Sequence, residues 1–98
     1  MPLTRGTIVG YDSVRMMFRF TMIAPNNTSI ECEISSAAMD LLAATKGTGP
    51  TRREALFLRL RDQIERAGSE LFDQDSRAPI RIFAKHFGLS KKPHPPLL

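Results

Sequence analysis

Tryptophan is absent from this 98-residue chain, cysteine and tyrosine occur once each, and histidine occurs twice. The single thiol, Cys32, cannot close an internal disulfide, and no second Cys or His stands at a spacing that would complete a zinc site. The expectation is a domain in a reducing cytoplasm that folds without disulfide, metal or cofactor. Long apolar runs are missing as well. The N-terminus Met1-Pro2-Leu3-Thr4-Arg5-Gly6 lacks the apolar core of a secretory signal, and no stretch approaches the ~18 apolar residues of a spanning helix. No membrane partner is expected.

Acid is scarce only at the C-terminus. The net charge of +4 comes from 14 Lys and Arg against 10 Asp and Glu. Residues 85 to 98 hold Lys85, Lys91 and Lys92 with no acid, so the first 84 residues carry 11 bases against 10 acids. A basic excess invites a nucleic-acid partner, yet here the body is nearly neutral and the excess sits in the tail.

Hydrophobic residues make up 42% of the chain and charged residues 24%, the proportions of a folded domain. Residues 14 to 22 alternate, with Val14, Met16, Phe18, Phe20 and Met22 on one face and Arg15, Met17, Arg19 and Thr21 on the other, as in a half-buried strand. Turn-forming residues 24 to 28 follow, then a second alternation with Ile30, Cys32 and Ile34 inward and Glu31 and Glu33 outward. Matching the apolar faces pairs Met22 with Ile30, Phe20 with Cys32 and Phe18 with Ile34 in an antiparallel hairpin. That register sets Arg19 opposite Glu33 and Thr21 opposite Glu31.

Ser35 or Ser36 can cap a short helix running through Ala44, which Gly47, Gly49 and Pro50 end. A second helix is predicted to open on the capping box Thr51-Arg52-Arg53-Glu54 and to run to Phe72. Leu56, Leu60, Ile64, Ala67 and Leu71 fall within about 80° of arc and form its buried stripe, with Leu58 outside it. Asp62 and Arg66 are placed to pair along the helix. Pro79 then introduces a strand with Ile80 and Ile82 inward, and residues 3 to 11 are a further extended segment. The order β-β-α-α-β predicts an α+β fold, an antiparallel sheet of three or four strands with two helices packed on one face. Residues 1–87 form this single domain, and residues 88–98 a disordered, basic, proline-rich tail.

The succession Val14-Arg15-Met16-Met17-Phe18-Arg19-Phe20, Ile30-Glu31-Cys32-Glu33-Ile34, Met39-Asp40-Leu41-Leu42, Glu54-Ala55-Leu56-Phe57 and Arg61-Asp62-Gln63-Ile64-Glu65 resembles the small bacterial family catalogued as domain of unknown function 1488. The resemblance spans roughly residues 11 to 84. It implies a compact bacterial α+β domain and brings no catalytic residues to this chain.

No motif in the residues points to catalysis. Cys32 sits on the inward face between Ile30 and Ile34, where a thiol packs rather than reacts. His86 and His94 have no ligand or carboxylate partner at a telling spacing. Phe18 and Phe20 flank Arg19 as aromatics do on RNA-binding sheets, but both share the core face with Met16 and Met22. Residues 45 to 50 hold two glycines and a lysine without the length or ending of a phosphate loop. The leading expectation is therefore a non-enzymatic protein-interaction domain that forms a homodimer, with Met17, Leu58 and Phe83 as its apolar contact residues. The alternative is an accessory nucleic-acid binder using Arg52, Arg53, Arg59, Arg66, Lys85, Lys91 and Lys92, with an affinity that falls steeply with salt.

Overall fold

The two alternating runs fold back on each other at the centre of a four-stranded sheet. The computed structural model describes residues 3–44 and 49–87. Its elements are β1 (Thr4–Asp12), β2 (Met17–Ile23), β3 (Ser29–Ser35), α1 (Ser36–Ala43), α2 (Pro50–Gln74), β4 (Ile80–Ile82) and a closing 3-10 turn over Ala84–Phe87. The sheet order is β1-β2-β3-β4. The extended segment near the N-terminus is thus a full strand, and the chain order is β-β-β-α-α-β. The Lys46 loop and the predicted tail lie outside the described residues.

β2 and β3 pair in the register that the apolar faces dictate, with Met22 opposite Ile30, Phe20 opposite Cys32 and Phe18 opposite Ile34. Between them the Ala24 amide donates to the Thr28 carbonyl at 2.9 Å, and Asn27 takes a positive φ of 68°. The start of β2 corrects the sequence reading. Val14 and Met16 belong to the β1–β2 turn and are 91% and 57% exposed. The Asp12 carboxylate accepts hydrogen bonds from the Val14 and Arg15 amides at 3.1 and 3.2 Å, so local side-chain bonding outcompetes the alternation there.

β1 pairs antiparallel with β2, with register shifts between Arg5 and Ile8 and between Ile8 and Gly10. A Cβ on Gly6 would stand 2.5 Å from Thr21 Oγ1 and 2.6 Å from its carbonyl oxygen, so only glycine lets the strands approach this closely. At the other edge β4 pairs with β3 in parallel, through Cys32 with Ile80 and Ile34 with Ile82. The wholly antiparallel sheet is corrected on this point: two helices intervene and return the chain to the end where β3 began, which yields a parallel neighbour.

Ser35 caps α1, its Oγ accepting from the Ala38 amide at 3.1 Å, and α1 ends on Ala44 in the left-handed region. α2 departs from expectation at its start. Gly49 is the N-cap and Pro50 the first helical residue, so Thr51 lies inside the first turn and no side chain caps the helix. Proline in that place forgoes an amide that would have been orphaned anyway, and the capping box never forms.

The helices cover one face of the sheet. Leu56, Leu60, Ile64 and Ala67 are buried with Ile30, Cys32, Ile34, Ile80 and Ile82. Phe57 adds a fully buried ring, 4.7 Å centroid to centroid from Phe18 and 4.9 Å from Phe20. No helix among the described residues is long and apolar enough to cross a membrane.

Candidate functional site

The helices leave the opposite face of the sheet open, and that face carries a cluster of charged residues. Alternation along β2, β3 and β4 turns Arg19, Thr21, Glu31, Glu33 and Arg81 to this side. Glu33 is the centre. Arg15 reaches from the β1–β2 turn and donates NH1 to Oε1 at 2.8 Å and NH2 to Oε2 at 2.6 Å. Arg81 donates Nε to Oε2 at 2.9 Å. Only 3% of Glu33 is exposed. The Arg15 hydrogen bonds, with that of Arg81, hold its carboxyl below the ordinary carboxylate range, against the opposing effect of burial.

Arg19 is the Cα partner of Glu33, yet the carboxylate is taken by Arg15 and Arg81. Among the described residues neither Arg19 nor the exposed Glu31 makes an ion pair. Beside Arg19 lies a shallow recess of about 380 Å³ bounded by Val9, Gly10, Tyr11, Asp12 and Ser13. Val9, at the second β1 irregularity, is 55% exposed. Val14 and Met16, which periodicity read as core, are also exposed, in the turn between β1 and β2.

The three apolar contact residues do not form one surface. Met17 has the parity of Arg19 but is only 6% exposed. Arg15, two residues earlier, extends along the same face to Glu33, which faces Arg19. Leu58 is 51% exposed on the solvent side of the helical layer, and Phe83, 39% exposed, follows β4.

The basic residues divide as sharply. Arg53 is 3% exposed and is no free cation. It grips Asp40 of α1 through NH1 at 2.9 Å and NH2 at 3.3 Å, donates to the Ser36 carbonyl, and lies 5.6 Å from the centre of the Tyr11 ring. Its place on α2 is on the buried stripe, one turn before Phe57. Tyr11 and Ser36 extend this junction, their hydroxyls 2.8 Å apart, with the Ser36 hydroxyl donating to the Met16 carbonyl. Arg52, Arg59, Arg66 and Lys85 are exposed. Lys91 and Lys92 lie outside the described residues.

Asp62 does not pair with Arg66. It receives Arg5 NH2 at 2.9 Å, and Glu65 is shared by Arg5 and Arg61. Cys32 is buried, and burial pushes its thiol up to about 12, which removes it as a nucleophile at neutral pH. His86 accepts the Phe83 amide on Nδ1 at 2.9 Å, and burial lowers its pKa. Among the described residues no group of three His, Cys, Asp or Glu is placed to hold a metal ion.

No family model and no curated protein matches this chain. The fold is similar to that in a 1.60 Å crystal structure of a protein of unknown function from the DUF1488 family of Shewanella loihica PV-4. The two are 22% identical with a TM-score of 0.66, over 78% of this chain and 89% of that one. This likeness shows the fold, and it is the fold that the residue resemblance implied.

Proposed function

We propose that the protein is a non-enzymatic, cytoplasmic interaction domain that pairs with a second copy across the open face of its sheet. The observation that carries this reading is the oppositely charged couple Arg19 and Glu31, which make no ion pair among the described residues and are diagonal neighbours on a face whose other charges are already satisfied. A two-fold axis lying between two such faces and midway between these residues sets each Arg19 over the partner's Glu31. The contact is then made twice, as an isologous interface requires. Val9 and the recess beside Arg19 supply apolar area and a cavity for a partner side chain. A free, buried cysteine suits a reducing compartment.

Sedimentation equilibrium of the full chain over a concentration series tests the pairing. The expected result is twice the chain mass, with Arg19→Glu and Glu31→Arg each weakening association at least about tenfold, since opposed like charges cost several kcal/mol. The double variant should recover it. A monomer at every concentration, or single variants that associate like the parent, would overturn the reading.

A further inference from the structure

Six arginines among the described residues are bound to carboxylates: Arg5, Arg15, Arg53, Arg61, Arg77 and Arg81. Besides Arg19, those left without an ion pair among the described residues are Arg52, Arg59 and Arg66, and all three are exposed on α2. They recur every seventh residue. Each step advances about 10.5 Å along the axis and drifts only about 20° around it, so the three residues form a nearly straight row about 21 Å long. The acid one turn from both Arg59 and Arg66, Asp62, is drawn aside to Arg5, which reaches over from β1. Glu70 and Asp73 share the row, at its C-terminal end.

From this geometry we infer that the outer side of α2 is a phosphate-contacting surface for single-stranded nucleic acid. Free guanidinium forks match phosphate oxygens, and a repeat near 10 Å corresponds to about three nucleotides of a stacked strand. A duplex strand winds through a full turn in about 34 Å, so it leaves a straight row before the third arginine; a flexible single strand can follow it. No exposed aromatic stands on this side of the helix to stack a base, so binding is independent of sequence and governed by salt. The row lies on the helical layer and the pairing surface on the opposite face of the sheet, so either can fail without the other.

The test is fluorescence anisotropy of a labelled mixed-sequence single strand, and of its duplex, against the full chain across a salt series. Three phosphate contacts predict a log-log slope of about −2, so a fourfold rise in salt weakens binding about 20-fold. The exposed triple variant Arg52→Gln, Arg59→Gln, Arg66→Gln should melt like the parent and lose binding. Glu70→Gln should tighten it, and Lys91→Gln with Lys92→Gln should leave it unchanged. No binding at low salt, equal or tighter binding of the duplex, or loss with the lysine pair while the arginine triple still binds, would each overturn the inference.

Discussion

Burying a carboxylate costs several kcal/mol unless its charge is answered in place, and Glu33 is answered by two guanidinium groups. Its folded pKa lies below the ordinary 4.5, so the unfolded chain takes up the proton first as pH falls. The stability that Glu33 contributes is therefore complete above the unfolded value and is lost as pH drops through the lowered folded one. Glu33→Gln should be less stable than the parent at neutral pH, and the gap should narrow below about pH 4.5 when urea unfolding is followed across the acid range. A gap that stays constant with pH would refute the account. In the sequence only half of this site was legible. Alternation put Glu33 outward and pointed to arginine as its partner, but chose Arg19, the cross-strand neighbour. Arg15 arrives instead from a turn whose shape depends on the Asp12 side chain, and Arg81 arrives from a strand 48 residues away. Arg53 was misread for a similar reason: its partner Asp40 lies on another helix, at no periodic spacing.

At the scale of elements, glycine has opposite meanings in β1 and α2. Gly6 permits a backbone approach that a methyl group would block, and the atoms it would meet include the Thr21 carbonyl, which cannot swing away. Gly6→Ala should cost about 1–3 kcal/mol. Gly68 lies inside α2, where a Cβ would meet Met22 Sδ at 3.5 Å and Ile82 Cδ1 at 3.6 Å, ordinary contacts. Gly68→Ala should stabilise by about 0.5–1 kcal/mol through helix propensity, and thermal melts of the two variants should move in opposite directions. The hairpin was readable because both strands keep a strict period of two and one face is buried. β1 was only dimly readable, since its irregularities break that period. The start of α2 was displaced because Pro50 sets the first turn before Thr51 can act as a cap. β4, three residues long, had too few positions to show its direction.

Across the whole molecule the two layers meet at Phe57, held between Phe18 and Phe20. Phe57→Ala should cost about 3–5 kcal/mol, against a total of about 5–15 for a domain of ordinary stability. Circular dichroism should show a large fall in melting temperature with the strand and helix signals lost together, because neither layer has another apolar surface to bury. The edges of the sheet carry a different consequence. β4 offers only three residues, and the irregularities of β1 interrupt the row of amides and carbonyls that a new strand would need. Strand addition in either direction is thereby discouraged, and in the proposed pair two copies that meet face to face would have used the surface that joins them. Such a pair has no free end from which a fibre could grow, so a crowded solution of this protein should hold finite particles rather than filaments.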